Sequence, residues 1–201
     1  SQFIDNKLNI FTGNKNFSFK RGKEEKSLIV GITHGDLPYS ESNALKLLGL
    51  SDAMNIIIIE EMREKIQGIY GGGTNVSLDK IPSGKYQFVL QLPCGPDKVD
   101  TLISAYHAEL KKIAEKGIDQ SYVDKIKKAW IEKRKVDIKK NEYWLSVLQS
   151  LYMGERTIDR IVNGEKYLNA FSAKEIQEAA KLLLESKGSM MAVQLPETSN
   201  K

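Results

Sequence analysis

The chain has 201 residues, of which 41% are apolar and 28% charged, so we expect one domain with a substantial core. The net charge of +4 is below that of typical nucleic-acid-binding domains, and the single cysteine, Cys94, excludes an internal disulfide framework. The longest apolar run, Ile56–Ile59, is too short to cross a bilayer. Because the chain starts with Ser1 and shows no export signal, we expect a processed or excised piece whose address lies upstream.

The first third of the chain predicts a leading strand, a buried strand and a long helix. Residues 1–26 are polar and contain glycine, which predicts a linker with a short strand around Phe17–Phe19. The apolar, β-branched run Leu28–Ile32 predicts a buried strand. From Tyr39 to Ile66, apolar residues recur at helical spacing, which predicts one helix that Gly68 ends.

The rest of the chain predicts an antiparallel hairpin, several helices and a closing strand. The expected elements are strands at 69–78 and 85–92, helices at 97–116, 119–140, 141–153 and 172–188, and a strand at 190–195. Trp144, Leu148 and Leu151 are expected to face inward, and residues 154–169 are expected to be irregular. This order predicts an α+β two-layer sandwich, with a mostly antiparallel sheet and the helices on one face. We expect a single domain at 27–196 and a tail at 197–201.

No residue set in the chain is suited to catalysis by itself. The two histidines, His34 and His107, are far apart in sequence and lack a second ligand at metal-site spacing, so we expect no metal site. We interpret His34 as a turn residue and His107 as a half-buried helix residue. Cys94, at the end of a strand, is interpreted as a small buried side chain. We therefore predict no catalytic residue in this chain alone.

Two further motifs have both an ordinary and a functional interpretation. Gly71, Gly72 and Gly73 could bind an anion, but they lack the lysine and serine of a phosphate loop, so a bent strand open to close backbone approach is favoured. The lysine-rich segment 125–140 could contact nucleic acid. Its interspersed acidic residues favour a solvated helix face, and we expect no nucleic-acid partner.

Arg63 and Tyr70 are the remaining candidates. They lie on either side of the predicted helix end, so a guanidinium and a phenol could be directed at one point. Arginine offers a planar fork of donors and tyrosine a single hydroxyl, and both suit a peptide carbonyl or the oxyanion formed from it. Pattern alone favours a surface arginine and a partly buried tyrosine, and it leaves the functional interpretation open.

The segment Met62-Arg63-Glu64-Lys65-Ile66-Gln67-Gly68-Ile69-Tyr70 resembles the "LREK…G…Y" segment of the pitrilysin or insulinase-type zinc metallopeptidases, the inverzincins. The resemblance extends from about Phe17 to Leu195. In that family an N-terminal half carries the zinc motif H-x-x-E-H, which is absent from this sequence. The resemblance therefore implies a C-terminal domain without a metal site.

The resemblance implies a role in substrate binding, with no hydrolysis by this chain alone. Arg63 and Tyr70 match the residues that hold the substrate carbonyl beside the cleaved bond, and a substrate strand could approach the sheet near Gly71–Gly73. This chain is expected to bind no cofactor, because zinc would lie in the N-terminal half of the parent enzyme. The expected partners are that zinc-bearing half, in the same polypeptide or in a partner subunit, and a peptide substrate. No membrane span is expected.

One alternative stays open, namely an inactive structural or partner subunit of the same fold, as in processing-peptidase partners and respiratory-complex core subunits. The pair of Arg63 and Tyr70 favours the peptidase, because an architectural subunit has no need of it. The compartment is not fixed by the sequence, and the family resemblance suggests the bacterial periplasm or cell envelope.

Overall fold

The computed structural model describes residues 11–154 and 157–197, without the side chain of residue 160, and within them five strands form one sheet. The strands are β1 (Gly13–Lys20), β2 (Ser27–Asp36), β3 (Gly73–Asp79), β4 (Lys85–Cys94) and β5 (Gly188–Leu195). The α-helices are α1 (Glu41–Ile57), α2 (Val99–Lys116), α3 (Gln120–Asp137), α4 (Asn141–Tyr152), α5 (Asp159–Val162), α6 (Gly164–Ala170) and α7 (Ala173–Leu184). The predicted linker before residue 11 and the predicted tail after residue 197 lie outside the described residues.

The sheet order is β1-β5-β2-β4-β3, which leaves β1 and β3 at the two edges. Every neighbouring pair is antiparallel except β1 and β5, which are parallel. The predicted short strand around Phe17–Phe19 is part of β1. The predicted α+β fold with a mostly antiparallel sheet is confirmed.

The core lies between one face of the sheet and the helices. In β4 the alternate residues are buried, as the period of two in a half-covered strand requires; they are Tyr86, Phe88, Leu90, Leu92 and Cys94. Buried residues of α1, α2 and α7 pack against them in the same hydrophobic cluster. The opposite face of the sheet is only partly exposed in β2, where Leu28, Val30 and Ile32 alternate with the buried positions.

The long helix after β2 is the central element of this core. Ser40 caps it, because its side chain accepts a hydrogen bond of 3.0 Å from the Asn43 N–H. Beyond Ile57 the backbone continues as a π-helical segment, Ile58–Lys65, before the chain turns. By length and composition alone the stretch Glu41–Lys65 could cross a membrane, but a core helix has the same composition, and half of its most apolar window is buried inside the fold.

Three sequence predictions about individual elements are wrong. The strand predicted from Ile69 begins at Gly73, and Ile69 forms only an isolated bridge with Cys94. Residues 154–169, predicted to be irregular, contain α5 and most of α6. In α4, two of the three residues predicted to face inward, Trp144 and Leu148, are exposed, the third, Leu151, is partly buried, and Val147 is the buried residue. The physical reason is that no described element covers the stripe formed by Trp144 and Leu148.

Helix α3 is joined to α1 by a partly buried polar contact. The Trp130 Nε1–H donates to an Asp52 carboxylate oxygen at 2.6 Å, and the Trp130 ring also packs at 4.9 Å from the Phe171 ring. Burial raises the pKa of Asp52, and the bond from Trp130 offsets part of that rise. The folded protein therefore holds a proton at Asp52 more tightly than the unfolded chain does.

Replacement of Asp52 by asparagine is expected to stabilise the protein near neutral pH. A raised pKa means that stability falls as pH rises from the ordinary aspartate pKa, about 3.9, through the higher folded value. Asparagine keeps an acceptor for Trp130 but carries no charge. Asp52→Asn should therefore increase Tm at neutral pH and leave Tm unchanged at a pH below the ordinary aspartate pKa. Thermal unfolding at several pH values checks this. The exposed Asp124→Asn is the control, and a Tm gain independent of pH would contradict the explanation.

Candidate functional site

Arg63 lies in the π-helical segment that ends the long helix. There the Ile66 N–H donates to the Glu61 carbonyl at 3.0 Å, five residues earlier, in place of the usual four. Such wide turns are rare in proteins and are frequently found at functional sites. They also rotate the following side chains relative to an α-helix, so the direction of Arg63 could not be predicted from a helical period.

The helix stops at Gln67, in the left-handed region with φ of 53°. The prediction that Gly68 is the conformational stop is therefore incorrect. Gly68 is needed for a different reason, since a β-carbon there would stand 3.0 Å from the Leu102 side chain. The Gly68 N–H closes the turn by donating to the Met62 carbonyl at 3.0 Å. The backbone after Arg63 is consequently fixed by hydrogen bonds on both sides of the reversal.

Tyr70 is held at the other end of this reversal. Ile69 is buried and pairs with the buried Cys94, and the Tyr70 N–H donates to the Pro93 carbonyl at 3.0 Å. The tyrosine side chain is 66% exposed. Its hydroxyl lies beside Gly95, 3.9 Å from the place where a β-carbon of residue 95 would stand.

Both candidate side chains are therefore exposed, while the backbone that carries them is anchored. Within residues 11–154 and 157–197, neither the Arg63 guanidinium nor the Tyr70 hydroxyl forms a hydrogen bond or an ion pair, and the guanidinium does not stack on the Tyr70 ring. The two side chains thus do not contact each other. Their donors are available to a ligand.

A second set of contacts holds the π-helical segment against α3, and sequence reasoning missed it. The Tyr122 hydroxyl donates to Glu60 at 2.5 Å, and the Lys125 ammonium lies 3.4 Å from the same carboxylate. The bond from Tyr122 lowers the pKa of Glu60 and raises the pKa of Tyr122 to about 12. Because these residues are more than sixty positions apart, no local pattern could have identified the contact.

The three glycines after Tyr70 have different surroundings. A β-carbon at Gly72, where φ is +92°, would stand 2.1 Å from the Gln91 carbonyl oxygen, and one at Gly73 would stand 2.5 Å from the Asn55 Oδ1 atom. Gly71 has open space around it. Gly72 and Gly73 therefore allow β3 to approach β4 and α1 closely, whereas no described residue would contact a β-carbon at position 71.

Asn55 occupies the beginning of the exposed edge of β3. It accepts from the Thr74 N–H at 2.6 Å and donates to the Thr74 carbonyl at 3.1 Å, as a neighbouring strand would. Sequence reasoning missed this role, although a polar residue inside an otherwise apolar helix is a signal that a buried partner exists. Beside it lies a cleft of about 400 Å³, lined by Asn55, Gly72, Gly73, Thr74, Asn75, Val89 and Gln91.

The residues considered for metal binding or nucleophilic catalysis are not grouped. Among the described residues, no cluster of three or more His, Cys, Asp or Glu side chains could hold a metal ion, so these residues do not fit zinc. His34, predicted in a turn, lies within β2, and His107, predicted to be half-buried, is exposed on α2, where partial desolvation lowers its pKa. Cys94 is buried as predicted, and burial raises the pKa of its thiol to about 11.

Comparisons with solved structures identify this fold in several proteins. The periplasmic protease PqqL from Escherichia coli has a TM-score of 0.79 and 17% identity over 93% of this chain and 21% of its own. A protease from Helicobacter pylori has a TM-score of 0.78 and 12% identity, covering 92% and 45% of the two chains. A chain of complex III2 from Candida albicans has a TM-score of 0.64 and 11% identity, covering 92% and 46%. At these identities the likeness concerns the fold alone.

The present chain thus spans from about a fifth to less than half of these chains. No curated protein sequence is significantly similar to it. A family model described as the peptidase M16 inactive domain matches residues 7–130, which is more than half of the chain. This chain therefore belongs to the peptidase M16 inactive-domain family.

Proposed function

We propose that this chain is the C-terminal, non-metal-binding domain of a zinc metalloendopeptidase, which binds peptide substrate and completes the active site of a separate zinc-bearing domain. The observation that carries the proposal is the state of Arg63 and Tyr70. Both side chains are exposed, both stand on an anchored helix-to-strand reversal, and their donors have no partner in the described part of the chain. A periplasmic or cell-envelope location belongs to the same proposal.

The proposed chemistry of this chain is hydrogen bonding to the substrate carbonyl next to the cleaved bond. The Arg63 guanidinium and the Tyr70 hydroxyl donate to the carbonyl oxygen, and their bonds strengthen as negative charge develops on it. Zinc bound to the other domain would supply the activated water. Because the donors and the metal lie on different domains, hydrolysis would require closure around the peptide.

The exposed edge of the sheet near Gly71 is the proposed place for the backbone of the substrate. Asn55 already satisfies the outward N–H and carbonyl of Thr74, so a peptide strand would pair before that residue, along Gly71–Gly73. The open space around Gly71 supports this placement.

Reconstitution from separate parts tests the proposal. We expect no peptide hydrolysis by this chain alone or by the zinc-bearing part alone, and chelator-sensitive hydrolysis when the two are mixed. The chelator should leave the thermal unfolding of this chain unchanged, because its described residues contain no metal-binding cluster. A zinc-bearing part that is equally active with and without this chain would contradict the proposed role.

The similarity to a complex III2 chain favours one second candidate, an inactive architectural subunit. That alternative predicts that this chain binds its partner but that the complex hydrolyses no peptide. Reconstitution distinguishes the two candidates, because complex formation and hydrolysis are measured separately.

A further inference from the structure

Helix α4 presents its apolar stripe to solvent. Trp144, Leu148 and Tyr152 follow one another at intervals of four, and Leu145 lies beside them, so all four side chains lie on one face of the helix. They are 40%, 59%, 95% and 70% exposed in the order named. The buried residue of the helix is Val147, on another face. Isolated helices of this length are marginal in water, so a stripe of this kind is typical of a helix that packs against a partner.

The exposed stripe is continuous with apolar residues at the end of α3. The Trp144 Nε1–H donates to the Ile138 carbonyl at 2.8 Å, which fixes the N-terminal end of the stripe beside the last turn of α3. Val136 and Ile138 in that region are 53% and 39% exposed. Contiguous exposed apolar patches on soluble domains mark interaction sites. We call this surface, formed by Val136, Ile138, Trp144, Leu145, Leu148 and Tyr152, the α4 surface.

The border of the α4 surface is strongly basic. Residues 133–140, at the end of α3 and in the turn to α4, contain five basic residues and one acidic residue, a formal charge of +4. Asp137, the acidic residue of this segment, is already paired with Lys133 at 2.5 Å and Lys140 at 3.1 Å. The neighbouring Lys139 is exposed and has no ion pair among the described residues. Negative charge at the border of a partner would therefore complement this surface.

We propose that the α4 surface is the docking site for a neighbouring protein domain whose contact face has an apolar centre and an acidic rim. The charge of residues 133–140 argues for that rim, and the exposed stripe argues for that centre. The similar structures are consistent with such an occupant, because the match covers 21% of one of these chains and 45% of another. The proposal does not depend on Arg63, Tyr70 or peptide hydrolysis.

Cysteine labelling in the native protein, purified from its own cells, tests the proposal. Leu148→Cys places a thiol within the stripe, and Ser146→Cys is a matched control, exposed on another face of the same helix. The native Cys94 gives no background, because it is buried and its pKa is raised to about 11. We expect maleimide to label position 148 about tenfold or more slowly than position 146 in the native protein, and both at similar rates in the 201-residue chain alone.

Three outcomes would overturn the proposal. Equal labelling of the two positions in the native protein would show that nothing covers the stripe. Protection in the isolated chain that increases with concentration, with a dimer mass by light scattering, would assign the surface to a second copy. The third outcome concerns the charge of the border. Lys139→Glu reverses the charge that faces the acidic rim, so we expect it to restore labelling of position 148 in the native protein. An unchanged labelling rate in this variant would exclude an acidic rim.

Discussion

Replacement of Arg63 by alanine in the proposed two-part peptidase is expected to lower kcat and kcat/KM by about 10²–10³-fold, the usual effect of losing one oxyanion donor. Tyr70→Phe, which removes only the hydroxyl, is expected to act in the same direction. Both donors would bind the carbonyl oxygen most strongly in the transition state, so kcat should fall without a compensating change in KM. Steady-state hydrolysis of an unfolded peptide measures the effect.

Zinc content and Tm of both variants should match those of the unsubstituted enzyme. The two side chains are exposed and have no hydrogen-bond partner in the described part of the chain, so their removal leaves no buried group unsatisfied. Lys65→Ala is the matched control, because Lys65 is also exposed at the end of the π-helical segment but is paired with Glu61 at 2.5 Å. Unsubstituted rates for Arg63→Ala and Tyr70→Phe would reject the proposed donors. An equal loss of kcat in Lys65→Ala would indicate a general effect of removing positive charge.

Gly72→Ala is expected to destabilise the fold by about 2–5 kcal/mol, from the cost of a left-handed alanine and of overpacking. The backbone at Gly72 has φ of +92°, and the new β-carbon would stand 2.1 Å from the Gln91 carbonyl oxygen. That oxygen belongs to β4, which is paired with both β2 and β3, so it cannot move without disturbing the sheet. Chemical denaturation followed by circular dichroism measures the loss.

Gly71→Ala provides the control for this prediction. Its β-carbon would meet no atom within 4 Å, so we expect a change within about 0.5 kcal/mol of zero. If peptide pairs along Gly71–Gly73, Gly71→Ala should still raise KM, because the added methyl group lies where the substrate would approach. Equal stability losses in the two variants would mean that the contact with Gln91 is not what makes position 72 sensitive.

The fold was largely predictable because its strands and helices follow simple periods. The alternation of Tyr86, Phe88, Leu90 and Leu92 identified β4, and Ser172 with Glu175 identified the capped start of α7. The α4 stripe was misassigned for a physical reason: a period shows that a face is apolar but does not show what covers it. Sequence reasoning took Trp144 and Leu148 as core residues, whereas in this structure they lie on the surface.

For the candidate site, the sequence predicted which residues were involved and how far apart they lie in the chain, but not how their side chains are oriented. Arg63 and Tyr70 could be named because a helix end was recognisable between them and the segment resembles one of a known family. Their orientation could not be predicted, because it depends on the wide π-helical turn and on the left-handed Gln67, where most sequences have glycine or asparagine. The proposed roles of Arg63 and Tyr70 remain predictions that the kinetic variants will test.

The parallel pairing of β1 with β5 has a mechanical consequence. Tension on the chain before Gly13 and after Leu195 would pull these two strands in opposite directions along their common axis. The evenly spaced bonds of a parallel ladder would then share the load in shear, and they would not open one after another. A domain joined in this way can transmit force between its neighbours without unravelling from either end.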